Sequence, residues 1–325
     1  MSAARQRFAR PSKGPGRPPL PRARHRTRPS TRPPPGPTRS WRPKSDQARQ
    51  AQGSHRSRAA APPRRWEELL LETAVAAARA AGQILRERFA QPHEVSSKGP
   101  RDIVTEADLL AQEAILAQIR ARFPEHQILS EEARHSLGAA GAPCRWVVDP
   151  LDGTTNYARG IPCFCVSIAV ECQGKLQVGV VYEPLGDRLF HAVRGEGAYL
   201  NGRRVHVSGC ARLIDTLLDL GWARSPQARD ISTRAASALG PAIGSARTMG
   251  SAALGLAAVA AGWEDAFFHP ELAPWDMAAG VLLVREAGGT VTLPNGGPWD
   301  LSSGMCLASN GTVHRALVEL IAPHM

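Results

Sequence analysis

Acidic side chains are almost missing from the first fifth of the chain. Residues 1–65 carry 18 Lys and Arg against one acid, Asp46. That segment also holds 13 of the 27 prolines and has no periodic apolar pattern. Runs such as Pro33-Pro34-Pro35 and Arg22-Ala23-Arg24 have nothing to bury, so a packed core is excluded there and disorder is the expectation for 1–65. An apolar h-region is lacking too, which argues against a secretory signal. The segment reads first as a dispensable extension. The alternatives are an Arg-rich transit peptide for organelle import and a basic arm for nucleic acid or an anionic surface. The rest of the chain has 22 basic and 28 acidic residues, so the net charge of +11 resides wholly in this tail.

Other absences narrow the chemistry. No apolar run reaches the roughly 18 residues of a membrane span, so no membrane partner is expected. The six cysteines include no C-x-x-C pair, and the chain is long enough to bury a core without covalent staples. Reduced thiols and a cytoplasmic location are therefore expected. Cys163 and Cys165 alternate on an apparent strand, which suits packing better than metal binding. No G-x-S-x-G elbow, phosphate-binding P-loop, dinucleotide fingerprint or H-E-x-x-H helix occurs.

What is present is a mixed pattern of helices and strands. Helical periodicity runs from Trp66 to Phe89, and Thr105 opens a second helix to about Phe123, with Asp108 in capping-box position. Strands are expected at Gln127–Ser130 and Trp146–Val148, and an antiparallel meander over Val166–Glu171, Leu176–Tyr182 and Arg188–Val193. The second half alternates strands near 215–220, 266–268 and 290 with helices over 225–239, 251–261, 274–287 and 313–321. This argues for a layered α/β or α+β fold. Residues 66–325 form the expected globular domain, its halves meeting near residue 200.

The most informative stretch is Asp149-Pro150-Leu151-Asp152-Gly153-Thr154-Thr155-Asn156. Pro150 is expected to end the preceding strand and turn the chain. Two carboxylates then stand at the carboxyl end of a strand, where α/β sheets gather ligands. Gly153 permits a tight turn, and Thr154, Thr155 and Asn156 offer donors for an anion. Acids for a hard cation beside donors for a phosphate make one coherent site. Taken singly, each acid has an ordinary explanation: Asp149 and Asp152 as turn formers, Glu131-Glu132 as a solvated patch, Asp276 as a charge in the first turn of a helix.

Together these blocks resemble the inositol monophosphatase family. The resemblance rests on the Asp149–Asn156 stretch, on Ser130-Glu131-Glu132, on Trp275-Asp276-Met277-Ala278-Ala279-Gly280 and on Asp102-Ile103-Val104-Thr105-Glu106-Ala107-Asp108. Val180-Val181-Tyr182-Glu183-Pro184 and Gly195-Glu196-Gly197-Ala198 also match, and the likeness spans Trp66 to the C-terminus. It implies a layered α/β/α/β/α sandwich, usually dimeric, and a Mg²⁺-dependent, lithium-sensitive phosphatase of small phosphate monoesters, with myo-inositol 1-phosphate as the first candidate. Fructose 1,6-bisphosphate, histidinol phosphate and 3′-phosphonucleotides are alternatives, as is a role as an RNA- or ribosome-associated binding protein. By position, Glu131, Asp149, the carbonyl of Leu151, Asp152 and Asp276 would hold two or three Mg²⁺ ions. Thr154 and Asp108 would activate water, and Gly153 and Thr154 would receive phosphate. Gly250, Ser251 and Ala252 would line the alcohol moiety alongside Asp152, and Lys98 would sit by a loop carrying a third metal. His269 stands where inositol-preferring members often have glutamate, so the alcohol recognised is left open.

Overall fold

The computed structural model describes residues 66–133, 137–138 and 141–325. The expectations for the tail lie outside these residues. The elements run α1 (Trp66–Arg88), β1 (Val95–Gly99), β2 (Asp102–Thr105), α2 (Glu106–Arg122), β3 (Gln127–Ser130), β4 (Cys144–Asp152) and α3 (Thr154–Ala158). Then come β5 (Cys165–Cys172), β6 (Lys175–Glu183), β7 (Arg188–Val193), β8 (Gly197–Leu200), β9 (Arg203–Val205), β10 (Leu217–Leu220), α4 (Pro226–Leu239) and β11 (Ser245–Arg247). The chain closes with α5 (Ala252–Ala260), β12 (Ala266–His269), α6 (Pro274–Glu286), β13 (Thr290–Thr292), β14 (Cys306–Ser309) and α7 (His314–Ile321).

These elements stack in five layers, as the sandwich expectation required. A seven-stranded sheet runs in chain order from β3 to β9, antiparallel except for the parallel β3–β4 pair. A five-stranded sheet has the order β11-β10-β12-β14-β13 and mixes parallel with antiparallel pairs. Along β5 the side chains alternate between two cores. Val166, Ile168 and Val170 pack with Leu70, Ala77 and Ile115 of the outer helices α1 and α2. Cys165 and Ala169 face the other way, into a second core with Leu256 of α5 and Val281 of α6. That core reaches Phe267 and Ala308 of the smaller sheet. A third core joins the far side of that sheet, through Leu218 and Phe268, to α4 and α7. Both faces of the two large sheets are thus covered, which accounts for the near-continuous burial along β4, β5 and β6.

The structure departs from the sequence reading in three places. First, Pro150 does not end its strand. β4 continues to Asp152, and its register against β5 slips between Asp149 and Asp152. At such an irregularity the ladder hydrogen bond that Pro lacks is not required. Second, in place of a loop at Lys98-Gly99-Pro100, Lys98 and Gly99 end β1 and Pro100 starts the turn of the β1–β2 hairpin. Third, Cys144 and Cys172 are directly paired residues of β4 and β5 and are joined by a disulfide, against the expectation of reduced thiols. Cys163, Cys165, Cys210 and Cys306 are free, but Cys163 lies outside β5, so the proposed shared face with Cys165 does not form. Among the described residues no helix is long and apolar enough to cross a membrane.

The position of α6 depends on glycine. A Cβ on Gly179 of β6 would come within 2.8 Å of the Ala279 carbonyl oxygen and 3.1 Å of its Cα, and backbone cannot swing aside. On the other side of the helix, a Cβ on Gly280 would meet Leu256 of α5. Gly179→Ala is therefore expected to push α6 off the sheet and cost about 1–3 kcal/mol. Urea denaturation should show a lower midpoint with an unchanged slope.

Candidate active site

Three acidic side chains converge where β3, β4 and the start of α6 meet, and each arrives from a different element. Glu131 directly follows β3, and its backbone N–H donates to the Val148 carbonyl 3.1 Å away, which ties it to β4. Asp149 is 1 % exposed, and its Oδ1 accepts the Leu151 N–H at 2.9 Å across the strand irregularity. Asp276 is the third residue of α6, and its Oδ2 accepts the Ala273 N–H at 2.7 Å. Carboxylate oxygens of Glu131, Asp149 and Asp276 all lie within 4.8 Å of one another.

Asp152 stands beside this group and is used differently. Its Oδ2 accepts from Ser251 Oγ at 2.6 Å and from the Ala253 N–H at 2.7 Å, and its Oδ1 from the Ala252 N–H at 3.3 Å. It therefore caps the start of α5 from another element, where the unsatisfied N–H groups and positive end of the helix favour a carboxylate. The segment Gly250–Ala252 is brought to the site by these bonds.

The cluster is electrostatically incomplete. Burial raises the pKa of Asp149 well above the usual carboxylate range, and Glu131, Asp152 and Asp276 raise it further. Burial, then Asp152 and Glu131, push Asp276 up to about 8. Lys98 answers part of this charge from the β1–β2 hairpin, with Nζ 2.8 Å from Glu131 Oε1 and 2.8 Å from Glu132 Oε1. Burial works against that ammonium, but the two glutamates outweigh it and raise its pKa. Arg224, which the sequence reading missed, ion-pairs with Asp102 at 3.2 Å and also feels Glu131, Asp276 and Asp149. Its only sequence signal is a basic residue just before the Ser225 cap of α4. An all-oxygen donor set, buried and mutually repelling, fits a hard divalent cation such as Mg²⁺ or Ca²⁺ and lacks the His and Cys ligands zinc favours.

Beyond β4 the chain turns through Gly153, at φ +97°, into the short helix α3. A Cβ there would approach the Cys163 carbonyl oxygen to 2.9 Å, so both conformation and space require glycine. Thr154 Oγ1 lies 3.1 Å from Asp108 Oδ1 and 3.1 Å from the Leu151 carbonyl oxygen, and its single proton serves one of them at a time. Asp108 also accepts from the Thr105 N–H at 2.9 Å and Thr105 Oγ1 at 2.6 Å, so it caps α2 and contacts Thr154 at once. Burial raises its pKa to about 6. Asn156 is not free to bind an anion through its amide. Its Nδ2 donates to the Cys163 and Met249 carbonyls, both at 2.8 Å, and so braces the loop leading into Gly250.

His269 ends β12 with its ring against Gly221. Burial lowers its pKa to about 4, and Nδ1 accepts the Glu271 N–H at 3.1 Å, so the neutral ring carries its proton on Nε2. Glu271 itself is committed to the N–H groups of Arg224 and Ser225.

A five-layered α/β fold with an acid cluster at strand and helix ends defines a class of metal-dependent phosphatases. The model of the inositol monophosphatase family matches residues 66–325. The chain is 41 % identical over 258 residues to an inositol-1-monophosphatase of Mesorhizobium japonicum, covering 78 % of this chain and 96 % of that protein. It is 42 % identical over 254 residues to the Nus factor SuhB of Escherichia coli, covering 77 % and 94 %. The crystal structure of the extragenic suppressor protein suhB from Bartonella henselae superposes with a TM-score of 0.75 at 39 % identity, covering 78 % of this chain and 98 % of that one. The chain belongs to the inositol monophosphatase family and is a phosphatase, a phosphoric monoester hydrolase.

If the acid cluster is a cation site, Mg²⁺ must stabilise the fold. At about 100 times its dissociation constant a ligand adds about 2.7 kcal/mol. For a domain of this size that is about 5 °C or more in unfolding temperature. Thermal unfolding with and without Mg²⁺ should show this rise in the wild type and not in Asp149→Asn.

Proposed function

We propose that this chain hydrolyses a small phosphate monoester, with Mg²⁺ as cofactor and myo-inositol 1-phosphate as the leading substrate. The observation carrying this reading is the convergence of Glu131, Asp149 and Asp276 within 4.8 Å beside the Gly153–Thr154 turn. These three carboxylates, with the Leu151 carbonyl and Asp152 next to them, would hold two or three ions. Such ions supply neutralisation of the phosphate oxygens and a water acidic enough to attack.

The chain's own groups do the rest. When Thr154 donates its proton to Asp108, the Leu151 carbonyl is released for a cation and the Thr154 oxygen turns its lone pairs toward the cleft. The attacking water can then donate to Thr154 Oγ1, with Asp108 as the final acceptor, a role that requires its carboxylate form. The backbone N–H groups of Gly153 and Thr154 face the phosphate at the helix start. Gly250, Ser251 and Ala252, held by Asp152, and the Nε2–H of His269 approach the alcohol part. Because His269 is neutral and donates, it selects a hydroxyl or other acceptor there. Lys98 offsets the charge of Glu131 and sits by the loop that would carry a further ion. The chain acts as a homodimer in this reading. Ile161 and Met249, 47 % and 42 % exposed on loops bridged by Asn156, supply apolar surface for it.

Purified protein with Mg²⁺ is expected to release phosphate from myo-inositol 1-phosphate faster than from the other sugar and nucleotide phosphates of a panel. Thr154→Ala should lower kcat about 100-fold or more while keeping the Mg²⁺-induced rise in unfolding temperature. An equal rate in that variant would remove Thr154 from the mechanism.

A second reading rests on the basic tail, with 18 Lys and Arg in residues 1–65, and on relatives called Nus factor SuhB. In it the tail is an arm for RNA. The full chain should then bind RNA with a steep salt dependence that is lost in a version starting at Trp66. Equal binding by both versions would exclude the arm.

A further inference from the structure

A cavity of about 360 Å³ opens at the far end of α6 from the acid cluster. Asp276 is the third residue of that helix, while Arg285 and Glu286, its last two, line the cavity. At the helical rise the two ends stand about 14 Å apart. The other walls come from the β5–β6 turn, from Arg194 after β7, and from the 299–301 segment.

The acids lining this cavity are already committed. Glu171 accepts from Arg145 Nη2 at 2.6 Å and Nε at 3.1 Å. Glu286 accepts the Gly195 N–H at 2.8 Å and the Gly197 N–H at 2.9 Å, one on each oxygen. Asp300 Oδ1 accepts the Ser302 N–H and hydroxyl at 2.8 and 2.6 Å. The cations are not so committed. Among the described residues neither Lys175, Arg194 nor Arg285 has a carboxylate in ion-pair contact. Arg285 lies over the indole of Trp299 at 5.1 Å, which occupies the face of its guanidinium and leaves its N–H edges open. Burial lowers the pKa of Arg285, and the nearby charge of Arg194 adds to the fall. Two like charges close together in a partly buried place call for an anion. Trp299 supplies an independent sign. It is 8 % exposed, lines the cavity, and its Nε1–H is buried with no acceptor. A buried donor left unmade costs about 1–3 kcal/mol, so such groups mark a missing partner.

We infer that this cavity is a second ligand site, separate from the acid cluster, for the phosphate group of a small phosphorylated molecule. Two guanidinium forks, an ammonium and an indole N–H provide more donors than a carboxylate has oxygens to fill. The volume exceeds that of a bare phosphate, and Leu176, Leu282 and Leu301 give the remaining space an apolar wall. Because α6 carries both Asp276 and Arg285, a ligand here bears on the helix that positions a cluster carboxylate. The inference stands apart from the proposed reaction, since it uses none of its residues.

The test is a titration of the full chain with inorganic phosphate, with EDTA present, followed by tryptophan fluorescence and by calorimetry. Saturable binding is expected in the wild type and, undiminished, in Asp149→Asn. Arg285→Gln and Arg194→Gln should each weaken it about tenfold or more, the worth of one charge-assisted hydrogen bond. Trp299→Phe should remove the fluorescence change. Each arginine variant is judged only if its unfolding temperature matches the wild type, and the two lie on different elements. Loss of binding in Asp149→Asn, no saturable binding in the wild type, or undiminished binding in the arginine variants would overturn the site. Acetate binding as tightly as phosphate would overturn the assignment of the ligand.

Discussion

Carboxylates that repel one another in a buried place will turn apart or take up protons unless something fixes them. In this protein the fixing groups are backbone N–H donors. Asp149 is held by Leu151, Asp152 by Ala252 and Ala253, Asp276 by Ala273, and Asp108 by Thr105. Four of these donors, Thr105, Ala252, Ala253 and Ala273, lie at helix starts, where N–H groups have no partner within the helix and welcome negative charge. The same geometry that satisfies each helix end therefore aims a carboxylate at a common point. Burial first, and then the neighbouring carboxylates, keep the pKa values of Asp149 and Asp276 raised even so. A cation is what remains to be added.

Layering delivers those helix ends to one place. α6 lies between the two sheets with Met277 to Val284 buried throughout, and Gly179 lets it settle against β6. β4 lies inside the larger sheet, flanked by β3 and β5, so the Glu131 and Asp149 backbones share a hydrogen-bonded frame. The β1–β2 hairpin, which carries Lys98, approaches from outside this frame, through a two-stranded sheet of its own. The charge-balancing lysine thus sits outside both of the large sheets.

Much of this was legible in the sequence because the signals were local. The Thr105–Asp108 capping box, the glycine turn after Asp152 and the Pro-Trp-Asp opening of α6 each place an acid at the end of an element within a few residues. The meander from β5 to β7 was equally readable, since its alternation follows from the pleat alone. What stayed hidden depended on partners distant in the chain. The pairing of Cys144 with Cys172 follows from strand register, and the bracing role of Asn156 depends on Met249, 93 residues on. Pro150 misled for a related reason. A proline forbids a ladder bond, but a slipped register is invisible until the neighbouring strand is known. Arg224 and the cavity beside Arg285 belong to the same category, being assembled across layers.

The helix-capping role of Asp152 changes how relatives of this chain can be judged. Its carboxylate holds the first turn of α5 as mortar holds a course of bricks, whatever happens at the cleft. A lineage that abandoned hydrolysis would still be under pressure to keep it, so its presence says little about whether a given homologue turns over substrate. Glu131 is the better witness. Among the described residues the hydrogen bonds its side chain makes are confined to Lys98, so that part of the scaffold would not retain it once the chemistry was given up.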